Sequence, residues 1–237
     1  DDSPHASPQS AQSSSSSIVG LIGAGEVRLA VRVASGVEEA ERPPLRSLDQ
    51  IFFQAEVLHM MLVEAVQRWA MPAEGTRGNG GLVALHNGTF VPWHRVRGDV
   101  REREQCKWAG VKKSQRAIEK QLRIYAGDPS RLVDICRQSL AFESVADLEA
   151  CLCAVSSDRA CRILRVKNRL DPDYNSNLSA GYRDVALNLQ LVTPITTAFS
   201  LQRHVCELQL ILLPFATLKS EQGHKRYVRF RNARAEQ

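Results

Sequence analysis

Two stretches in the last third of the chain decide the fold: GYRDVALNLQLV at residues 181–192 and HVCELQLILL at residues 204–213. Polar and apolar residues alternate in both, which is typical of β-strands with one buried face. In the first stretch, one face carries only aliphatic side chains, namely Val185, Leu187, Leu189 and Leu191. The opposite face carries polar or aromatic side chains, namely Tyr182, Asp184, Asn188 and Gln190. The pattern predicts a sheet with one apolar face and one polar, open face.

Acidic residues fall on the polar rows of these predicted strands. Glu207 and Gln209 alternate with leucines in the second stretch, and residues 131–142 read as a further strand in which Asp134 and Gln138 share a face. If the rows converge, Asp134 and Glu207 form a carboxylate pair. Such oxygen ligands suit Mg²⁺, which neutralises charge in triphosphate chemistry. The alternative is a solvent-facing sheet with incidental acids, although an acid within VCELQLIL is costly unless it has partners.

Helical and turn signals surround these strands. Apolar residues at helical spacing predict a long helix over 45–70, and Asn87-Gly88 predicts a hairpin between strands at 82–86 and 89–93. The remaining predicted elements are a basic helix over 112–126, a helix capped by Ser144, a strand at 160–166, a polar loop over 171–180 and a last helix over 214–231. This order predicts an α+β fold, a mixed sheet of about five strands flanked by helices.

The chain is expected to divide into three regions. Residues 1–44 form a disordered or extended segment, because the serine-rich tract over 1–17 cannot bury a core. Residues 45–106 form an extension of helix and hairpin, and 107–234 form the main domain. The GLIGAG motif at 20–25 lacks the preceding strand of a dinucleotide-binding loop. No apolar run is long enough to span a membrane, and no basic leader precedes the short apolar run at 18–24. The six cysteines read as reduced thiols, so we expect an intracellular, cytoplasmic protein.

Positive charge is concentrated in two places, although the net charge is only +5. One cluster lies between residues 95 and 123, and the other lies between 219 and 234. Such clusters suit ligands that carry phosphate, from nucleotides to nucleic acid. A solvated helix face and an RNA-binding tail are both alternatives for the second cluster.

Short motifs occur in an order that resembles the RelA/SpoT synthetase family. They are GYRD at 181–184, ELQL at 207–210 and GHKRY at 223–227. Upstream, KKS at 112–114 with Lys120 resembles the basic helix of the family, LVDI at 132–135 resembles its metal-binding strand, and RVKN at 165–168 resembles the element before its Gly-Tyr turn. The resemblance covers about residues 107–234.

The resemblance implies a nucleotidyltransferase-like fold that moves a pyrophosphoryl group from ATP to the 3′-hydroxyl of GDP or GTP with Mg²⁺. Asp134 would then hold the metal, and Glu207 would orient or deprotonate the hydroxyl and also touch the metal. Tyr182 would stack on the guanine, and His224 would position the acceptor. The other residues implied to bind nucleotide are Lys112, Lys113, Arg116, Arg137, Lys167, Arg183 and Gln209.

The sequence also departs from the family pattern. Ala180 replaces the usual Asn before Gly-Tyr, Ser139 replaces an Arg after the metal-binding Asp, and Ile211-Leu212 replaces an Arg-Thr pair. The loop at 175–177 lacks the lysine of the ATP side. A catalytically inactive module of the same fold, which senses nucleotides or binds a partner, is therefore the alternative to an enzyme. The oligomeric state is not predicted.

Overall fold

A computed structural model of the protein describes residues 47–179 and 181–218. It contains a six-stranded mixed sheet with helices packed against it, so the predicted α+β class is confirmed. The predictions for residues 1–44, for the distal part of the last helix, for His224 and for the basic cluster at 219–234 lie outside the described residues. No helix in the described part of the chain combines the length and apolar character needed to cross a bilayer.

The elements follow one another along the chain with short connections. The strands are β1 (Leu82–Ala84), β2 (Phe90–Pro92), β3 (Arg137–Phe142), β4 (Cys161–Asn168), β5 (Val185–Leu191) and β6 (Cys206–Leu212). The helices are α1 (Leu48–Trp69), α2 (Trp93–Val96), α3 (Val100–Glu104), α4 (Ser114–Ile124), α5 (Val145–Ser157), α6 (Pro194–Ala198) and α7 (Leu213–Leu218).

The sheet has the strand order β2-β1-β3-β6-β5-β4. Strands β3 and β6 are parallel, and every other neighbouring pair of these six strands is antiparallel. The predicted hairpin forms around Asn87-Gly88, with Leu82 opposite Pro92. It joins the sheet because Leu82 also pairs with Ala141 of β3. This addition raises the strand number from about five to six.

Helices α1 and α5 lie over one face of the sheet and build the core with it. The aliphatic rows of β5 and β6 point into this core, so that Leu187, Leu189, Leu208 and Leu210 are all fully buried. Helix α1 contributes a buried stripe to the same cluster, made of Ile51, Ala55, Leu58, Leu62, Ala65, Val66 and Trp69. The predicted extension and the predicted main domain therefore share one hydrophobic core.

The strand predicted over residues 131–142 begins only at Arg137. A 3₁₀ turn at Pro129–Arg131 precedes it, and the Lys112 amide donates to the Ile135 carbonyl at 3.0 Å. Asp134 consequently lies in the loop before β3. Gln138 faces the covered side, where its amide group bonds both the N–H and the carbonyl of Ala109 at 3.0 and 2.8 Å. The expected shared strand face of Asp134 and Gln138 is therefore corrected.

Other boundaries shift by a few residues for local reasons. Helix α4 begins at Ser114, so Lys112 and Lys113 precede it. Strand β5 begins at Val185, so Tyr182 and Asp184 lie in the connection that leads into it. The helices α2, α3 and α6 were not predicted, because four or five residues are too few to show a helical period.

Candidate functional site

The open face of the sheet carries a row of polar side chains at the end where β3 and β6 begin. Arg137 of β3 pairs with Glu207 of β6, which pairs in turn with Asn188 of β5. Partners in a sheet point to the same face, so these three side chains lie side by side. Arg165 of β4 continues the row beside Asn188. The row places one acid between a cation and an amide.

A second row lies two residues further along the strands. It contains Ser139, Gln209, Ala186 and Lys167 in sheet order. The Gln209 amide donates to Glu207 Oε1 at 2.8 Å and so restrains this carboxylate. Gln209 therefore acts on Glu207 directly, and Lys167 lies two strands away from it.

Asp134 is held by two lysines from the segment that precedes β3. Lys112 Nζ lies 2.5 Å from Asp134 Oδ2, and Lys120 Nζ lies 3.0 Å from Asp134 Oδ1. Burial alone would raise the pKa of Asp134, but Lys120 and Lys112 outweigh it and lower that pKa. Burial lowers the pKa of Lys112 despite the nearby carboxylate. The three charges form one compact, largely buried cluster.

Glu207 lies close to this cluster. Burial raises the pKa of Glu207, repulsion from Asp134 raises it further, and Lys120 and Arg137 act in the opposite direction. Asp134 and Glu207, which belong to separate elements, thus lie within electrostatic range of each other. Lys120, which binds Asp134 at 3.0 Å, also acts to lower the pKa of Glu207.

Tyr182 lies on the same open face and is partly buried there. Gly181 precedes it with a φ of +80°, a left-handed conformation that favours glycine and turns the chain towards β5. The ring packs against a small apolar cluster of Leu82, Ala141 and Ile211. Burial is the main influence that raises the pKa of Tyr182, and the charge of Glu207 is a smaller one, so the ring lies within electrostatic range of the acid.

The other predicted binding residues divide into three groups. Arg183 donates to the carbonyls of Arg169, Asp171 and Tyr174 at 3.1, 2.8 and 3.3 Å, which gives it a structural role in the loop before β5. Lys113 is exposed, and Arg116 faces Glu119 at 3.5 Å on the surface of α4. His224 lies outside the described residues.

Three residues of this region were missed by sequence reasoning as members of the site. Lys120 binds Asp134, and Asp184 and Arg169 form an ion pair behind Tyr182. The sequence did contain a signal for Lys120, because it lies three residues after Ala117, the buried position of α4, and thus on the face turned to the sheet. Asp184 carried a signal as the acid that enters an otherwise aliphatic strand.

An apolar pocket adjoins the polar rows. Its volume is about 100 Å³, and it lies between the hairpin, Trp108 and the end of the sheet face marked by Ser139, Ala141 and Ile211. Ala216 of α7 closes one side. The open face therefore offers a charged part and an apolar part next to each other.

The site offers few carboxylate ligands for a hard cation such as Mg²⁺. Within residues 47–179 and 181–218, no group of three or more His, Cys, Asp or Glu side chains is arranged to hold a metal ion. Mg²⁺ needs only one or two carboxylates, because substrate phosphates and waters supply its other ligands. Asp134 and Glu207, whose charges interact, are the residues that would supply those carboxylates.

Comparisons with known proteins give structural neighbours only. No family model matches the sequence, and no curated protein matches it. One neighbour is the type VI effector Tas1, solved with its immunity protein, at 16% identity, 80% coverage of this chain, 78% of that chain and a TM-score of 0.42. The small alarmone synthetase 2 from Bacillus subtilis has 18% identity, 53% and 63% coverage and a TM-score of 0.40.

The small alarmone synthetase 1 from Bacillus subtilis, bound to its product pppGpp, has 18% identity, 53% and 68% coverage and a TM-score of 0.38. This chain thus spans 63% of the synthetase 2 chain and 68% of the synthetase 1 chain. A GTP pyrophosphokinase family protein from Streptococcus pneumoniae is a further neighbour, at 14% identity and a TM-score of 0.38. The neighbours named here thus include two small alarmone synthetases and a GTP pyrophosphokinase family protein.

Proposed function

We propose that the protein is a Mg²⁺-dependent pyrophosphokinase that takes ATP as donor and GDP or GTP as acceptor. The arrangement that supports this most directly is a pair of acids, Asp134 and Glu207, whose charges interact beside a group of cations. The two acids come from separate elements, and Lys112, Lys120 and Arg137 surround them. Acids beside cations on an open face suit a reaction in which a hydroxyl attacks a phosphate.

Glu207 is the proposed general base. Its pKa is raised, which brings its proton affinity closer to the working pH. Its carboxylate accepts the proton of the acceptor 3′-hydroxyl as the oxygen attacks the β-phosphorus of ATP. The new O–P bond forms as the bond between the α,β-bridging oxygen and the β-phosphorus breaks, and AMP leaves. Gln209 keeps the carboxylate in place through its 2.8 Å hydrogen bond.

The cations are proposed to receive the phosphates. Lys112 and Lys120 already face a carboxylate, so their ammonium groups are ordered before a substrate arrives. Ordered charges stabilise a developing negative charge at little further cost in reorganisation. Asp134 and Glu207 are the residues that would hold Mg²⁺, which would neutralise the triphosphate when bound.

The experiment follows nucleotides in a mixture of purified full chain, ATP, GDP or GTP, and Mg²⁺, separated by ion-exchange chromatography. We expect a product with two more phosphates than the acceptor, and release of AMP. Glu207→Gln should slow turnover by about 10²- to 10⁴-fold, the usual contribution of a general base. Because Gln keeps an oxygen ligand for Mg²⁺, nucleotide binding should change far less than turnover. Glu104→Gln, at an exposed acid on α3, is the matched control.

A nucleotide-binding module without turnover is the second candidate. Both oxygens of Asp134 face lysine ammonium groups, so a cation has to compete with them. This candidate predicts that calorimetry detects GDP binding, unchanged by Glu207→Gln, and that no product forms with any pair of purine nucleotides. Turnover that Glu207→Gln abolishes would exclude it.

A further inference from the structure

A buried ion pair lies behind the ring of Tyr182. Asp184 is 0% exposed, and its carboxylate pairs with the Arg169 guanidinium. The Arg169 amide also donates to the Asp184 carbonyl at 2.8 Å. The connection between β4 and β5 is therefore closed by a backbone bond and a side-chain pair between the same two residues.

Asp184 also contacts Tyr182. Burial raises the pKa of the Tyr182 hydroxyl, and the charge of Asp184 and a hydrogen bond to its carboxylate raise it further. The hydroxyl therefore stays protonated and donates to the carboxylate. The ring also packs on the cluster of Leu82, Ala141 and Ile211. These two sets of contacts leave the ring little freedom to turn.

The backbone around the ring is restrained as well. The Ser179 hydroxyl donates to the Tyr182 carbonyl at 2.6 Å, and the Tyr182 amide donates to the Ser179 carbonyl at 3.0 Å. Arg183 binds three carbonyls of the same connection. Among these contacts, only the one from Asp184 reaches the hydroxyl end of the ring, so Asp184 is the group that sets the ring angle.

We propose that Asp184 is a positioning residue for nucleotide binding: anchored by Arg169, it fixes the Tyr182 ring at the angle at which a purine base stacks on it. This inference rests on the proposed function, because it takes the acceptor base as the stacking partner. A ring that is already ordered loses less entropy when a base stacks on it, so affinity rises without a new contact. Neither Asp184 nor Arg169 touches the base.

The test is a calorimetric titration of the full chain with GDP and, separately, with ATP, both in Mg²⁺. The variants are Asp184→Asn, Tyr182→Phe and the two combined. We expect each single change to weaken GDP binding about ten-fold, and the combination to weaken it no further, because both act on the same hydrogen bond: Tyr182→Phe removes its donor, and Asp184→Asn replaces its charged acceptor with a weaker neutral one. ATP binding should change less than about two-fold.

Asp173→Asn is the matched control, since it removes an exposed acid from the same connection. It should leave both affinities unchanged. Asp184→Asn leaves Arg169 buried beside a neutral group and can unfold the chain. The paired change Arg169→Gln with Asp184→Asn removes both charges, and it should show the same selective loss of GDP affinity.

The possible failures are distinguishable. If GDP binds the wild-type chain and the losses of the two single variants add, or ATP binding falls equally, Asp184 has no positioning role and only this inference is overturned. If the wild-type chain binds neither GDP nor ATP, the proposed function fails and this inference fails with it.

Discussion

Lys112 and Asp134 show how strongly a single pair of residues can shape the site. Both are about nine-tenths buried, and the 2.5 Å contact between them satisfies charges that would otherwise be expensive in the interior. Both residues could be predicted as site residues from the sequence, because a lysine-rich segment and an acid within an apolar run are recognisable patterns. The sequence placed Asp134 on a strand, because LVDI has the alternating pattern of a β-strand. The hydrogen bond from Lys112 to Ile135, which keeps this stretch in a loop, depends on a chain segment more than twenty residues away and cannot be read locally.

His204 makes the stability of the fold depend on pH. It is 3% exposed, its Nδ1 faces Gln54 at 3.3 Å, and burial lowers its pKa to about 4. The His204 imidazole takes up a proton near pH 6.5 in the unfolded chain, whereas in the folded chain it does so only near pH 4. The contribution of neutral His204 to the free energy of unfolding is thus complete above about pH 6.5. It is lost as the pH falls from there through about 4, by roughly 3 kcal/mol in total.

Urea unfolding at several pH values between 7.5 and 4 measures this loss. His204→Leu should flatten the dependence in that range, and His86→Gln, at an exposed hairpin position, should leave it as in the wild type. An equally steep dependence in His204→Leu would show that other groups control it.

The junction between α1 and β1 is set by a glycine that has no room for a side chain. Gly80 has a φ of +62°, and a Cβ there would lie 2.6 Å from the Ala70 carbonyl oxygen and 2.7 Å from the Pro72 nitrogen. Gly75 has a similar φ of +74° but open space around it. Gly75→Ala should therefore cost about 1 kcal/mol of backbone strain, and Gly80→Ala about 2–4 kcal/mol, because crowding adds to the strain.

Denaturant unfolding of the two variants measures the difference, and the pair separates strain from crowding. Equal losses would mean that the junction can relax. The loss of stability in Gly80→Ala should involve the whole hairpin, because the Gly81 amide donates to the Ala70 carbonyl at 2.8 Å and connects the hairpin to the end of α1.

The helices and strands that are long enough to show a repeating apolar pattern were the predictable part of this fold. Helix α1 lies at Leu48–Trp69, within the predicted 45–70, and the aliphatic rows of β5 and β6 are buried as their alternation indicates. The hairpin followed from Asn87-Gly88. The pairing of that hairpin with β3 was not predicted, because β1 has only three residues and so short a sequence does not indicate which strand it pairs with. The ring angle of Tyr182 depends likewise on Arg169 and Asp184, which meet only when β4 and β5 pair.

At the scale of the whole molecule, the shared core predicts that the described part of the chain unfolds as one unit. Helix α1 packs against β3 and α5, and its buried stripe belongs to the same cluster as the sheet. The three tryptophans, Trp69, Trp93 and Trp108, report on the first half, whereas thiol labelling of the buried Cys136 and Cys206 reports on the sheet. We expect the two probes to give one coincident transition in urea.

Leu62→Ala should shift both transitions equally, by about 2–5 kcal/mol, because Leu62 is 0% exposed at the centre of the α1 stripe. Two separate transitions would instead support a boundary near residue 106, as the division of the sequence into an extension and a main domain predicts.

Strand β6 is the last strand of the described sheet to be synthesised, yet it lies between β3 and β5 near the middle. It brings Glu207 to the position beside Arg137. A polypeptide still emerging from the ribosome therefore lacks the proposed base until residues 206–212 have left the exit tunnel and inserted. Translation order alone therefore delays the proposed chemistry until β6 is in place.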